Sequence, residues 1–331
     1  MQKSIRSSRI TGTGHCCPDD VLSNQDLERM VDTTDEWIVT RSGIRERRIA
    51  RPDQAASDIA LEASRNALDT AGIDPGDIDG IIVGTISGDQ PFPATACILQ
   101  DRLGASKAVG FDLSAACSGF IYAVNTAHGL IASGQLNKVL VVGVEILSKF
   151  VDWQERSTCV LFGDGAGAVV LEPCEPGGGI LGTHMKSDGT LADLLYIVAG
   201  GSRTPASAES VAKGQHYLRM KGDGVFKYAV RAMEETSRYV LAQAKLSVDE
   251  VDLMIPHQAN VRIIDSVYKR LGIPEEKVVV NLDRFGNTSS ASIPIALDEV
   301  VRDGRLKKGN IVLLVTFGGG LTWGSVLLRY S

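Results

Sequence analysis

The chain repeats itself. Residues 67–83 (ALDTAGIDPGDIDGIIV) align without gaps on residues 240–256 (VLAQAKLSVDEVDLMIP), pairing Leu68 with Leu241, Ala71 with Ala244, Ile73 with Leu246 and Asp79 with Asp252. The same offset of 173 lays Lys138–Val144 (KVLVVGV) over Ile311–Phe317 (IVLLVTF). Each copy reads as a helix, a short loop bearing an aspartate, an apolar strand, a middle segment and a second apolar strand. The middle segments correspond as well. Val109–Leu113 leads through SAACSGF into a helical stretch that ends near Ser133, with Gly134 in a C-cap position, and Val278–Leu282 leads through Asn-Thr-Ser-Ser into a helix that ends near Asp303, with Gly304 beyond it. Strands alternating with helices of this length predict βαβ units and mostly parallel sheets. The expected fold is α/β, with one half over 1–174 and a similar half over 175–331.

At 331 residues the chain exceeds what one hydrophobic core comfortably organises. Its net charge of −6 argues against a nucleic-acid partner. Its most apolar stretches have strand length, well short of the roughly 18 residues of a membrane span. Lys3, Arg6 and Arg9 are followed by no apolar segment of a secretory signal. The cysteines at 16, 17, 97, 117, 159 and 174 form no CxxC pair, so no metal centre and a reducing, cytoplasmic setting are expected, and adjacent Cys16–Cys17 are read as ordinary loop thiols.

Three residues carry chemistry. Cys117 follows an apolar strand and starts a helix between Ala116, Ser118 and Gly119. Free N–H groups and the positive helix end favour a thiolate there, and small neighbours leave room for an acyl group. His257, in PHQAN, closes an apolar strand at the end where α/β sites gather. Asn287, in GNTSS, lies in the turn that the repeat matches with the Cys117 turn. Each alone reads equally well as a buried cysteine, a capping histidine or an N-cap asparagine; together they suggest a nucleophile with partners. Gly318-Gly319-Gly320 could aim an N–H at an oxyanion. Gly163–Ala168 (GDGAGA) imitates a dinucleotide loop but precedes a strand, and is expected to be a tight turn beside the site.

In this order, FDLSAACSGF, LFGDGAGAVVL, PHQAN, RFGNTSSASIP and FGGGLTWGS resemble the thiolase-fold condensing enzymes, specifically the β-ketoacyl-acyl-carrier-protein synthase III family of type II fatty acid synthesis. The resemblance runs from about Arg9 to Arg329, and DEWIVTRSGIRERRI (35–49) belongs to it. It implies a layered α-β-α-β-α sandwich and a Cys117–His257–Asn287 site. An acyl group, acetyl in the simplest case, would pass from coenzyme A to Cys117 and then to malonyl-acyl-carrier protein with loss of CO₂. Coenzyme A would be a substrate, with no further cofactor. The resemblance also implies an oxyanion hole from the N–H groups of Cys117 and Gly318, coenzyme A contacts at Trp37, Arg41 and Arg156, and an acyl pocket involving Phe92 and Phe317. Phe92 would reach into a homodimer partner. Carrier-protein contacts would come from Gln258, Ala259, Asn260, Val261, Arg262 and Lys227, with Arg231, Lys269 and Arg270 adding basic charge. Val151–Glu155, with its unusual Trp153, departs from the family pattern.

Three other readings share the fold or lack the chemistry. A degradative thiolase needs a second cysteine near the C-terminal glycines, and Thr316–Ser325 has none. A non-catalytic subunit has no reason to keep all three site residues. A relative acting on other acyl groups in a secondary pathway remains the alternative.

Overall fold

A computed structural model describes residues 6–331; Lys3 lies outside the described residues. Nine strands build two sheets. The first contains β1 (Ser7–Cys16), β2 (Gly80–Gly84), β3 (Val109–Leu113), β4 (Val139–Ile146) and β5 (Asp164–Cys174) in the order β1-β5-β4-β2-β3. The second contains β6 (Gly179–Ser187), β7 (Leu253–Pro256), β8 (Ile311–Gly318) and β9 (Thr322–Arg329) in the order β6-β9-β8-β7. The two orders are the same path traced twice. Where β3 would have its counterpart, Val278 makes a single parallel bridge to Met254, and the chain turns at once into the short helix Leu282–Phe285.

The sheets are mixed where mostly parallel ones were expected. β2 is parallel to β3 and β4, and β7 to β8, but β4–β5, β8–β9 and the edge strands β1 and β6 are antiparallel. The repeat unit includes strand-to-strand connections that carry no crossover helix, and these reverse the chain.

Strand alternation sets the layers. Val139 and Val141 of β4, with Val312 and Leu314 of β8, face a shared central core around the helices Gly119–Ala132 and Ser292–Arg302. Leu140, Val142 and Val144 face the outer helices Ala56–Ala71 and Thr95–Leu103, whereas Leu313 and Val315 face Gly222–Ala244 and Val261–Leu271. Both faces of the central strands are buried, which explains their unbroken apolar runs. The result is five layers, α-β-α-β-α. No helix among the described residues is long and apolar enough to cross a membrane.

The repeat holds down to single hydrogen bonds. An Asp79 oxygen accepts the N–H of Lys138 at 3.0 Å, and an Asp252 oxygen accepts that of Ile311 at 2.7 Å, each fixing the start of the next strand. The outer helices end on left-handed residues at equivalent positions, Gly72 (φ 67°) and Lys245 (φ 58°). Two excursions are counterparts as well, since the pair Leu22–Arg47 of one becomes Leu195–Met220 of the other at the offset of 173. One runs between β1 and the Ala56–Ala71 helix and pairs Val21–Ser23 with Glu46–Arg48; the other follows β6 and pairs Leu195–Ile197 with Leu218–Met220.

A buried carboxylate ties β1 to the central helix of the other half. Asp298 accepts from Thr13 Oγ1 and Arg302 Nε, both at 2.6 Å, and pairs with His15 Nδ1. Burial pushes its pKa up, but the bonds from His15, Thr13 and Arg302 outweigh this and hold it below the ordinary carboxylate value. A depressed folded-state pKa contributes stability above the unfolded value, and that stability is lost as pH falls. We expect D298N to lose about 1.5–3 kcal/mol at neutral pH, with the gap to wild type closing below about pH 4. Urea unfolding across pH measures this, and a gap independent of pH would refute it. Lys245→Gly should stabilise the fold by about 1 kcal/mol, since a side chain is strained in that conformation; an unchanged or lower urea midpoint would refute that.

Candidate active site

Cys117 sits on a sharp turn. After β3 the chain passes through Ala116 at φ 46° into a single 3₁₀ turn, Ala116–Ser118, and then the Gly119–Ala132 helix. In the second half the matching residue is Ser289, at φ 48°, in the turn Ser289–Ala291 before Ser292–Arg302. At an offset of 173 the counterpart of Cys117 is therefore Ser290, three residues beyond Asn287, and Asn287 corresponds to Ser114. The two turns are equivalent, as expected; Cys117 and Asn287 occupy different steps of them.

The backbone around Cys117 is tightly held. Its carbonyl accepts Thr316 Oγ1 at 2.9 Å, and that of Ala115 accepts Thr322 Oγ1 at 3.0 Å. Gly318 lies against this turn so closely that a methyl group on its Cα would stand 2.8 Å from Cys117 N.

His257 is buried directly after β7, with its N–H donated to Val315 O at 2.8 Å. Its Nδ1 meets Ser292 Oγ at 2.7 Å, and Ser292 Oγ also accepts the Gln258 N–H. When the Ser292 hydroxyl donates to Nδ1, the imidazole proton stands on Nε2. Burial pushes the His257 pKa down to about 3, so the ring is neutral. Asn287 is pinned between its N–H to Leu161 O and the Gly163 N–H to its own carbonyl. Its Oδ1 accepts the Ser289 N–H at 2.9 Å, leaving the amide Nδ2 as the free donor.

Cys117, His257, Asn287 and Gly318 line one cavity of about 310 Å³. Arg41, Phe226 and Arg262 also line it, and Leu195 and Met220 come from the second excursion. Cys117 also borders a second cavity of about 350 Å³ with Ile86, Leu147, Ile197 and Leu218. The thiol thus stands at the junction of two spaces. Burial pushes it up to about 12; the Ser289 hydroxyl pulls it down and the Glu145 charge raises it. Desolvation works against the thiolate that the helix start was expected to favour.

The remaining expected residues fall into separate places. Arg156 lies 4.7 Å from the Trp37 ring centroid and Arg41 5.7 Å from it, so Arg156 is closed against the indole with no base-sized gap between them. Trp153 donates Nε1 to Ser148 O at 3.2 Å and lines a cleft with Leu22, Met30 and Lys149. Gln258 is buried and saturated: Nε2 donates to Pro256 O and Val279 O, and Oε1 accepts the Asn281 N–H. It therefore offers nothing to a docking protein, which corrects its expected role as a carrier-protein contact. Ala259, Asn260 and Val261 are half-buried, with Asn260 capping the Val261–Leu271 helix. Arg262, Lys227, Arg231, Lys269 and Arg270 are exposed, and Arg262 lies over Phe226. Phe317 lines the first cavity and not the second, whereas Phe92 is 83% exposed. GDGAGA is no turn, because Asp164 onward is β5. Its glycines admit the neighbouring helix: a methyl on Gly167 would come within 2.7 Å of Ile295 N. Cys16 and Cys17 are free thiols, and no metal-binding group of side chains occurs among the described residues.

Sequence reading missed Glu145, Ser289 and Ser292, which touch or position the reactive groups. Glu145 left a signal, a single charge inside the apolar run VLVVGVEIL.

Two family models match the chain: 3-oxoacyl-[acyl-carrier-protein] synthase III over residues 111–189 and its C-terminal part over residues 241–330. The β-ketoacyl-[acyl-carrier-protein] synthase III of Symbiobacterium thermophilum is 57% identical over 327 residues, covering 99% of each chain. The 3-oxoacyl-[acyl-carrier-protein] synthase III of Aquifex aeolicus superposes with a TM-score of 0.90 at 50% identity, covering 98% of this chain and 100% of that one. The priming β-ketosynthase of the R1128 polyketide pathway gives a TM-score of 0.92 at 39% identity, covering 100% of this chain and 98% of that one.

Gly318→Ala should displace the Cys117 turn and cut acyl-enzyme formation at least about tenfold, while overpacking costs about 1–3 kcal/mol of stability. Intact-mass kinetics with an acyl donor and a urea melt check this; wild-type acylation would show that the turn tolerates the methyl.

Proposed function

The chain belongs to the β-ketoacyl-[acyl-carrier-protein] synthase III family, and from that premise we propose that it performs the initiating condensation of type II fatty acid synthesis. An acyl group, acetyl in the simplest case, moves from coenzyme A to Cys117. Malonyl-acyl-carrier protein then loses CO₂, and its carbanion attacks the Cys117 thioester to give 3-oxoacyl-acyl-carrier protein. One observation carries the reading: Cys117, His257, Asn287 and Gly318 converge on one cavity.

Decarboxylation builds negative charge on the malonyl thioester oxygen. A neutral imidazole with Nε2–H and an asparagine amide held through its Oδ1 supply two aligned donors, each worth about 100- to 1,000-fold in rate in such a role. The N–H groups of Cys117 and Gly318 serve the other oxyanion, at the acyl carbon. The scheme needs no metal or prosthetic group, since coenzyme A enters as a substrate.

Several features support the assembly around this chemistry. β3 is an edge strand with Val109 53% exposed, and Phe92 projects from the same sheet region, a surface suited to a second copy whose Phe92 would close the acyl cavity. Trp37 and Arg41 lie along the way to the cavity mouth and suit the nucleotide of coenzyme A, with Arg156 swinging off the indole to admit the base. Arg262 lines the cavity, and Lys227 and Arg231 are exposed on the Gly222–Ala244 helix whose Phe226 and Ala229 also line it, giving positive charge complementary to an acidic carrier protein despite the chain's net −6. We place the division between halves after Cys174, where β5 ends, and the protein in the cytoplasm.

Cys117→Ala should form no acetyl adduct by intact mass after exposure to acetyl-coenzyme A; an adduct on the variant would sink the assignment. His257→Ala and Asn287→Ala should still acylate, while CO₂ release from malonyl-acyl-carrier protein falls about 100-fold or more. Normal decarboxylation by both would remove them from the mechanism.

A further inference from the structure

Glu145 is a fully buried carboxyl that the scheme above leaves unused. It occupies β4 between the loop after β2, Gly165 of β5 and the Ser289–Ala291 turn. Oε2 accepts from Ser87 Oγ at 2.5 Å, Ile86 N at 3.2 Å and Thr85 Oγ1 at 3.3 Å, and Oε1 accepts from Ser289 Oγ at 3.1 Å. These partners are uncharged. Among the described residues, the titratable group coupled to Glu145 is the Cys117 thiol.

Ser289 stands between them. It lines the second cavity with Cys117, and its hydroxyl pulls the pKa of that thiol down. With its own proton directed at Glu145 Oε1, Ser289 Oγ keeps lone pairs that can take a proton from Cys117, and once the sulfur is deprotonated the same hydroxyl can donate to it, so a path Cys117 Sγ to Ser289 Oγ to Glu145 Oε1 is open. A thiol must lose its proton as it attacks. Burial disfavours a second proton on His257, so it is a poor acceptor.

On the reading that Cys117 is the nucleophile, we propose that Glu145 takes up the Cys117 proton through Ser289 and stores it for the lifetime of the acyl-enzyme. As the sulfur–acyl bond forms, the S–H bond breaks; the thiol proton moves to Ser289 Oγ while the Ser289 proton moves to Glu145 Oε1. The donor's carbon–sulfur bond breaks with its electron pair on the coenzyme A sulfur, which takes a proton from solvent. In the condensation the Cys117–acyl bond breaks with its pair on Sγ, and the stored proton returns by the same path. Burial pushes the Glu145 pKa up to about 7, which suits a group that must hold and release a proton at neutral pH.

Two measurements test this. Rapid-quench mass spectrometry should show acetyl-Cys117 forming about 100-fold more slowly in E145Q and S289A. The wild-type rate should fall as pH drops through about 7, and E145Q should lack that inflection. Infrared difference spectra of the wild-type enzyme on acetylation should gain a protonated-carboxyl band, a readout that does not depend on a variant folding. Near-wild-type acylation by E145Q with an unchanged pH profile, or acetyl-Cys117 without the band, would overturn the Glu145 step alone. Acetyl on another residue would overturn the reading of Cys117 itself.

Discussion

The structure depends on how closely two helix starts approach at its centre. Gly119, which begins one central helix, lies so near Gly84 that a methyl on Gly84 would stand 2.5 Å from the Gly119 carbonyl carbon. Gly143 is pressed against the other turn, where a methyl would meet Ser290 O at 2.4 Å. Ser290 Oγ donates to Gly84 O at 2.8 Å and so links the two halves. Only glycine permits backbones this close, and the approach is what brings the Cys117 turn of one half beside the Asn287 turn of the other.

Burial then decides the electrostatics. Cys117, His257 and Asn287 are buried, so the polar atoms turned away from the cavity need protein partners. Each partner occupies one face and leaves the other for chemistry: Ser292 takes His257 Nδ1, and the Ser289 N–H takes Asn287 Oδ1. The same desolvation keeps the imidazole neutral and works against the thiolate. A site of neutral, pre-aligned donors suits a reaction in which charge develops only in the transition state.

The sequence made the duplicated frame legible because the frame is repetitive: Asp79 and Asp252 bond the same strand start, and Gly134 and Gly304 end the central helices at positive φ. The Cys117 turn was legible for the same reason. The rest was not. The two excursions that supply Leu195, Met220 and Arg41 to the cavity keep the same strand pairing at the offset of 173, but Leu22 and Arg47 stand where the other has Leu195 and Met220, so side-chain similarity did not reveal the match. Antiparallel pairing was not legible because β8 and β9 are joined by a tight hairpin and the β4–β5 connection carries only a 3₁₀ turn and the one-turn helix Arg156–Cys159. GDGAGA looked like a turn because glycine usually marks one, whereas here it clears space for a helix. Gln258 looked like surface because polar residues usually are, and only the carbonyls around it show that it is part of the interior.

A symmetric frame could carry two sites, yet it carries one, and the equivalent positions explain why. Gly84 and Gly119 of the first half correspond to His257 and Ser292 of the second. In the first half that place is sealed by backbone contact, leaving no volume for a side chain. In the second it is opened by one residue's reach and filled by an imidazole on a serine hydroxyl. Likewise Gly143, sealed against Ser290, corresponds to Thr316, whose hydroxyl holds the Cys117 carbonyl. The glycines that let the halves meet therefore remove the histidine site from the first half. The second half, relieved of that duty, supplies the histidine and the asparagine to a cysteine that the first half presents.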